Sequence, residues 1–402
     1  MDSITQIIQK LESIVQLNEE ELTKAHVEHP EDLLFQSGSK GATMGLRAIV
    51  DTVKNPGVIT IKWDGYPALI FGKGKTSGNR FIVVDKHMFN KSDGSGRTVN
   101  NPLAFASYDE QRGIEREGLH NAIANIWEGL EQSYSGDGYY WGDLLFYEPL
   151  QEKNGLFTFR PNPNGITYTV EVDSEVGQLL SGKQGGIAVH QYIPSNADNV
   201  QYAQTLNGGV GRLKNGGPMA IVPAKMPTTP QLNIDLENDV NPVQAIIQKN
   251  GAMIDDLLMN APPGVKGQFP VMFTVYINKK IVAGNLDNLV RDFYTFAQER
   301  KMSDGERSKL VGYKTIDPKT NQEATAPGYL YQKQKEVTAA FETWIAIYNL
   351  KMKVVPQLDA AAKDSPVKGY LQDGTQTQEG FVSHGIKLIN RMGFSRQNLA
   401  GR

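Results

Sequence analysis

The chain has 402 residues, long enough for about two or three domains. Its 41 basic and 44 acidic residues give a net charge of −3, so any binding of nucleic acid would need a local basic patch. The absence of cysteine excludes disulfides, thiolate zinc sites and cysteine nucleophiles.

Hydrophobic periodicity predicts a series of short helices and strands. Apolar residues at helical spacing predict helices over 2–27, 42–54, 118–134, 243–258, 286–300 and 331–353. Apolar or alternating runs predict strands over 58–61, 68–71, 80–85, 139–146, 167–172, 186–192 and 271–277. The last segment, 378–391, predicts strand, turn and strand, with His384-Gly385 as the turn. This pattern favours an α+β fold with mainly antiparallel strands.

Changes in composition divide the chain into four regions. We expect an N-terminal helical region over 1–55 that packs on the core, and a first part of that core over 56–230. A proline-rich stretch over 218–230 precedes an expected inserted, largely α-helical module over 235–365. The region 370–402 would then complete the core.

The segment Lys62-Trp63-Asp64-Gly65 lies between two apolar runs. Asp-Gly predicts a tight hairpin turn, with the lysine at the end of the preceding strand. Desolvation among apolar neighbours favours the neutral amine of a lysine, which is a nucleophile. Taken alone, the segment is explained better by a surface hairpin whose lysine extends its head to solvent.

Three further charged residues stand in apolar strand patterns. Asp143 is the acidic residue of the run 139–146, and a buried carboxylate needs a partner or a metal. Glu379 and Lys387 lie on the two strands of the final hairpin, where a tight turn would bring carboxylate and ammonium close together.

In this order, the four motifs resemble the signature motifs of the covalent nucleotidyltransferase superfamily. That superfamily comprises the ATP-dependent DNA and RNA ligases and the mRNA-capping guanylyltransferases. The resemblance implies an antiparallel nucleotidyltransferase core of the ATP-grasp-like ligase kind. It also implies that a lysine attacks the α-phosphate of the nucleotide, forms a lysyl–nucleoside monophosphate and releases pyrophosphate.

The resemblance assigns a role to each motif. It implies that Lys62 is the nucleophile and that Lys387 contacts the α-phosphate. Asp143 would hold the ribose or a metal, and Glu379 would bind the catalytic Mg²⁺ or Mn²⁺. Other expected nucleotide-binding residues are Asp64 and Gly65 beside the nucleophile, and His190 or Tyr192, which could stack on the purine from the strand over 186–192.

The sequence departs from the superfamily at two positions. Pro67 stands where a basic residue is usual, so Lys73, Arg80 or Lys86 would have to supply that charge. Ile389 stands where the last motif usually has a second lysine, so that phosphate contact is either missing or comes from Arg391 or Lys86.

The expected substrate follows from the motifs and from the helical region. Few residues follow the last motif, too few for the OB-fold that DNA ligases and capping enzymes carry there. We therefore expect an ATP-dependent RNA ligase that adenylates a 5′-phosphate end and joins it to a 3′-OH, with RNA ends favoured over DNA nicks. Basic residues of the helical module could hold the acceptor: Lys279-Lys280, Arg300-Lys301 and Arg307-Ser308-Lys309. For any one of these pairs, a solvated helix face is the better explanation.

Two alternatives remain open at this stage: a DNA ligase of the same fold, and a catalytically inactive binding or structural phage protein. The chain also resembles an uncharacterised class of tailed-phage proteins, which implies the host cytoplasm. No signal pattern and no run of about 18 apolar residues is present, so we expect no membrane partner.

Overall fold

A computed structural model describes residues 28–393 of the chain, except 163–164, 208, 216, 317–322 and 378–379. The helix expected over 2–27 lies outside the described residues, and so does Glu379. The described chain is a mixed α+β fold with mainly antiparallel sheets, as expected. None of its described helices is long and apolar enough to cross a membrane.

The strands are short and occur mostly in the first half of the chain and near its end. They are β1 (Thr60–Ile61), β2 (Ala68–Lys73), β3 (Ile82–Val84), β4 (Gly138–Phe146), β5 (Glu152–Lys153), β6 (Leu156–Phe159), β7 (Thr167–Glu171), β8 (Gly185–Ile193), β9 (Gln204–Thr205), β10 (Met219–Pro223), β11 (Gly312–Ile316), β12 (Glu323–Pro327), β13 (Val367–Tyr370), β14 (Gln376–Thr377), β15 (Phe381–Ser383) and β16 (Ile386–Leu388).

The helices dominate the second half of the described chain. They are α1 (Leu33–Lys54), α2 (Lys86–Phe89), α3 (Pro102–Glu110), α4 (Glu117–Ser133), α5 (Glu175–Leu180), α6 (Asn241–Met259), α7 (Gln268–Val282), α8 (Leu289–Glu299), α9 (Asp304–Leu310), α10 (Tyr329–Gln332) and α11 (Gln334–Lys363).

Two sheets pack around the segment that follows β1. One has the strand order β10-β8-β4-β2-β3, with β9 added to β8, and only β10 and β8 run parallel in it. The other has the order β14-β13-β7-β6-β5. Apolar side chains of both sheets share one core with Trp63, while α4 covers the opposite face of the β4 sheet.

β1 belongs to a third sheet, with the order β1-β15-β16. β1 and β2 therefore do not pair, and the hairpin expected around Asp64-Gly65 is wrong. The turn signal was present, but each flanking run finds its partner elsewhere: β1 pairs with β15, and β2 pairs with β3 and β4.

The helices α1, α6, α7, α8 and α11 share one hydrophobic core with β1, β15 and β16. The region expected as a helical insertion thus packs against the strand that precedes Lys62. Burial of α1 in the same core explains its amphipathic pattern, since a helix that is apolar on one face must cover that face.

The strand expected over 271–277 is wrong, because these residues belong to the helix α7. The run is rich in β-branched and aromatic residues, which favour strands. However, its buried residues recur at helical spacing, and burial in the helical core outweighs the local preference. They are Phe269, Met272, Phe273, Tyr276 and Ile277.

A buried network of charges fixes the end of the described chain against α1 and α11. Lys351 of α11 donates a hydrogen bond to Glu31, and both side chains are fully buried. Arg391 donates to Glu31 at 3.1 Å and to Asp32 at 3.0 Å, and the Trp344 indole donates to Asp32 at 2.8 Å. Burial lowers the pKa of the Lys351 ammonium, and the Glu31 carboxylate opposes that shift.

We expect Lys351→Met to destabilise the protein by about 3–5 kcal/mol, because it leaves a buried carboxylate without its ammonium partner. Lys335→Met, on an exposed position of the same helix, is the matched control and should change stability by less than about 0.5 kcal/mol. Urea unfolding of both variants measures the difference. Equal midpoints would refute the role assigned to the network.

Candidate functional site

Lys62 lies directly after β1 and next to the final hairpin of the described chain. Thr60 and Ile61 pair with Val382 and Phe381, and the Lys62 N–H donates to the Gly380 carbonyl at 2.9 Å. A single site with Lys62 and Lys387 requires the final hairpin to add to the sheet that carries Lys62, and the structure shows this pairing.

The two faces of the β1-β15-β16 sheet differ in character. Ile61, Phe381 and Leu388 point into the helical core. Because successive side chains of a strand alternate, Lys62 lies on the opposite face, together with Lys387, which pairs with Val382. Both lysines are half-buried. Two ammonium groups therefore share one face of a three-stranded sheet.

The segment between β1 and β2 runs along β4. The Tyr66 N–H donates to the Leu144 carbonyl, and the Leu144 N–H donates to the Pro67 carbonyl, each at 3.0 Å. A Cβ on Gly65 would lie 2.4 Å from the Cβ of Asp143, so only glycine fits there. Three residues of chain span at most about 11 Å, which limits the distance between the Cα atoms of Lys62 and Gly65.

Asp64 is engaged by the loop between β6 and β7. Its carboxylate accepts hydrogen bonds from the Ile166 N–H at 2.9 Å and from the Asn162 amide at 3.4 Å. Its own N–H donates to the Tyr168 hydroxyl at 2.7 Å. These bonds fix the backbone beside Lys62, which is a positioning role compatible with the expected place of Asp64 in a nucleotide site.

Trp63 anchors the same segment in the core. Its ring is 4% exposed and lies 4.8 Å from the Tyr168 ring, centroid to centroid. Since neighbouring side chains alternate in extended chain, burial of Trp63 on one side turns Lys62 to the other.

Asp143 and His190 meet on neighbouring strands. The His190 Nε2 lies 3.5 Å from the Asp143 carboxylate, and both side chains are partly exposed. Trp141 pairs with Gln191 and Gly142 with Val189, so His190 is the extra residue of a β-bulge on β8. Bulges re-aim side chains, and this one turns His190 toward Asp143. The sequence offers no signal for the bulge.

Tyr192, the other expected stacking residue, lies elsewhere. It pairs with Tyr140, its ring 5.5 Å from that ring, and its hydroxyl donates to the Asp137 carbonyl at 2.9 Å. Tyr140 and Asp143 are on opposite faces of β4 because of strand alternation. Of the two expected stacking residues, only His190 reaches the Asp143 face.

Trp141 extends the Asp143 face of β4. Its ring lies 5.7 Å from the His190 ring, and the Lys86 ammonium lies 5.7 Å from the ring centroid. The buried indole N–H of Trp141 has no hydrogen-bond partner within the described residues. A buried donor of this kind is costly unless a ligand or water accepts its hydrogen bond.

Of the expected replacement cations, Lys86 alone is seen to contact a residue of this face. Lys73 lies over the Tyr134 ring at 5.8 Å, and the Arg80 guanidinium donates to the Ser77 carbonyl at 3.4 Å. Arg391 is buried in the charge network with Glu31 and is not available to a phosphate, so that expectation is wrong. The sequence could not show this, because the network joins residues over 300 positions apart.

The metal-binding expectation depends on Asp143 and Glu379. Glu379 lies outside the described residues, although the next residue, Gly380, pairs with Lys62. Over the part of the chain that the structure describes, no group of three acidic or histidine side chains could hold a metal. Asp143 still offers the hard, partly exposed oxygen donors that Mg²⁺ prefers.

Two of the basic residues expected to hold the acceptor lie at Phe296, and others are engaged elsewhere. Lys279 and Arg300 lie over its ring at 5.8 and 5.9 Å. Lys280 pairs with Asp292 at 2.9 Å, and Arg307 donates to backbone carbonyls at the end of α8. Fewer of these basic side chains are therefore available to a phosphate backbone than the sequence suggests.

A cavity of about 230 Å³ lies behind the final hairpin, lined by Asp359, Gln376, Gly380 and Asn390 among others. Burial raises the pKa of Asp359 to about 6. The cavity thus lies between α11, which carries Asp359, and the final hairpin, whose Gly380 and Leu388 also line it.

Comparison with known proteins places the chain in a sequence family. Residues 24–402 match the family described as "Family of unknown function (DUF6267)", and the chain belongs to that family. No curated protein and no solved structure matches the chain.

We expect Gly65→Ala to destabilise the protein by about 1–3 kcal/mol, because the added methyl group must displace Asp143 or Leu144. Gly57→Ala is the control, since a Cβ there would have no atom within 4 Å. Thermal unfolding measures both. If Gly65→Ala were as stable as Gly57→Ala, the close approach of the segment to β4 would be refuted.

We expect Asp359→Asn to stabilise the protein at pH 7 and to leave it nearly unchanged at pH 4. Because folding raises the pKa of Asp359, the protein loses stability as the pH rises through about 6 and this carboxyl ionises. Asparagine cannot ionise, so the variant avoids that loss. The gain should approach about 3 kcal/mol in urea unfolding. The exposed Asp364→Asn is the control, and a pH-independent difference for Asp359→Asn would contradict the prediction.

Proposed function

We propose that this chain is an ATP-dependent, RNA-ligase-like nucleotidyltransferase that acts through a lysyl–AMP intermediate on Lys62. The observation that carries the proposal is the pairing of β1 with the final hairpin. It puts Lys62 and Lys387 on one sheet face, while Gly65, three residues on, packs against Asp143.

The first step would be displacement at the α-phosphorus of ATP. The neutral Lys62 Nζ forms the new N–P bond, the P–O bond to the leaving group breaks, and pyrophosphate departs with that electron pair. One proton leaves the nitrogen. Such a displacement is promoted mainly by positioning and by positive charge near the phosphate oxygens, and Lys387 provides such a charge on the same face.

The Asp143 face would hold the nucleoside. His190 and Trp141 offer ring surfaces, and the indole N–H of Trp141 offers a buried donor to a base or a ribose. The Asp143 carboxylate could accept from a ribose hydroxyl. Together with Glu379, it has the oxygen donors for Mg²⁺ or Mn²⁺, which would neutralise phosphate charge when bound.

The later steps need a nucleic-acid acceptor. AMP would pass from Lys62 to a 5′-phosphate end, and a 3′-OH would then displace AMP as the ends join. Phe296 with Lys279 and Arg300 offers a ring and two cations, which suit the bases and phosphates of a single strand. Turnover on single-stranded or nicked RNA, compared with nicked DNA, distinguishes RNA joining from a DNA ligase of the same fold.

We expect wild-type protein incubated with α-labelled ATP and Mg²⁺ to carry label through denaturing electrophoresis. Lys62→Ala and Lys62→Arg should carry none, because arginine keeps the charge but is not a nucleophile. Asp143→Asn should lower the labelling rate by about 100-fold, as loss of one polar contact made in the transition state does. Lys214→Ala, an exposed position, is the control and should label normally.

Two results would count against the proposal. Unlabelled wild-type protein would exclude the lysyl–AMP reaction and favour a non-catalytic binding protein. Normal labelling of Lys62→Ala would show that the nucleophile lies elsewhere.

A further inference from the structure

β1 has a second neighbour on the edge opposite β15. The chain continues from β10 into residues 224–226, and this segment bonds to β1. The Ile61 N–H donates to the Ala224 carbonyl at 2.7 Å, and the Met226 N–H donates to the Ile59 carbonyl at 3.1 Å. Thr60 and Lys225 lie directly opposite each other in antiparallel pairing.

The burial pattern fixes the face on which Lys225 lies. Ala224 and Met226 are buried, and Met226 belongs to the helical core, as Ile59 and Ile61 do. Lys225 is exposed between them. Directly opposed residues share a face, so Lys225 lies on the same face as Thr60, Lys62 and Lys387.

The spacing of the three lysines follows from sheet geometry. Lys225 is a diagonal neighbour of Lys62, and such pairs are about 7–8 Å apart. Lys387 lies on the other side of β1, two strands away. At the usual spacing between strands, its backbone is roughly 10 Å from that of Thr60. Each ammonium is carried on a flexible four-carbon stem. The three charges can therefore surround one anion.

The direction along β1 orders the site. Gly65 and Asp143 lie beyond the C-terminal end of β1, where the nucleoside is proposed to bind. Toward the N-terminal end of β1, Lys225 lies opposite Thr60 on one side, and Lys387 lies beyond Val382 on the other. Lys62 lies between this region and the Asp143 region. A nucleotide lying along the strand would direct its outer phosphates toward Lys225.

We propose that Lys62, Lys225 and Lys387 form a binding site for a polyphosphate chain, in which Lys225 holds the outer phosphates that leave as pyrophosphate. Lys225 would also supply the cation that Ile389 does not. The identity of the leaving group rests on the proposed function, whereas binding of polyphosphate to this face does not.

The test is titration of inorganic tripolyphosphate into the full-length protein by calorimetry, without nucleotide or metal. We expect Lys225→Gln to weaken binding about tenfold or more, because a charge-assisted contact is lost. Lys225→Arg should retain most of the affinity. The control Lys214→Gln removes the same charge at an exposed position near the end of α4 and should bind as wild type does.

The proposal is overturned if wild-type protein does not bind tripolyphosphate, or if Lys225→Gln binds it as tightly as wild type. It is also overturned if Lys225→Gln weakens only the binding of an RNA oligonucleotide, since the face would then contact nucleic acid.

Self-labelling separates this site from the proposed function. Loss of tripolyphosphate affinity in Lys225→Gln, with no self-labelling of wild type, would support the site and refute the enzyme. Normal self-labelling of Lys225→Gln at an unchanged KM for ATP would support the enzyme and refute the site. If both hold, Lys225→Gln should raise the KM for ATP.

Discussion

The pairing of β1 on both of its edges is the constraint on which the candidate site depends. β1 is only two residues long, yet β15 bonds to one edge and the segment 224–226 to the other. These partners lie far along the chain: the Thr60 hydroxyl donates to the Val382 carbonyl across 322 positions. A central strand with buried residues on one face has a fixed register, since a slip by one residue would exchange its faces.

The register of β1 determines the direction in which each side chain of this segment points. Ile59 and Ile61 enter the helical core, and Trp63 enters the core between the two larger sheets. Lys62 is therefore turned to the face shared with Lys225 and Lys387. Gly65 then permits the chain to pass against Asp143. The same short segment thus joins two cores and presents Lys62 between the face that carries Asp143 and the face that carries Lys225 and Lys387.

The final hairpin is held in place from two sides. β15 bonds to β1, while the Lys387 N–H donates to the Glu28 carbonyl at 2.8 Å, just before the buried Glu31. Three residues after β16, Arg391 joins the charge network with Glu31 and Lys351. A buried ion pair adds little net stability, but separating its partners is costly, because each charge would be left buried without compensation. The helical region therefore supports the site through α1 and α11.

Local sequence signals predicted much of this arrangement. The final hairpin and its turn at His384-Gly385 followed from apolar alternation and turn residues. Its addition to the strand before Lys62 is a long-range pairing, which only the resemblance to the nucleotidyltransferases required. Helical spacing located α4, α6 and α11 to within a few residues at most ends, although α11 extends about ten residues beyond the expected end. These features are local, and short-range periodicity reports them well.

The wrong predictions concern segments whose secondary structure or strand pairing depends on tertiary contacts. The β-branched run in α7 was assigned to a strand because its propensity favours one, but a buried helical face prevailed. Asp64-Gly65 was assigned to a hairpin, but the flanking strands belong to different sheets. The bulge that turns His190 toward Asp143, and the pairing that puts Lys225 beside Thr60, leave no local signal in the sequence.

Three lysines share the face on which nucleotide transfer is proposed, and peptide mapping can tell which of them becomes modified. Protein treated with ATP and Mg²⁺ is digested, and the lysine that carries AMP is identified by mass spectrometry. We expect a single adduct on Lys62, with one pyrophosphate released for each adduct. An adduct on Lys225 or Lys387, or no adduct at all, would contradict it.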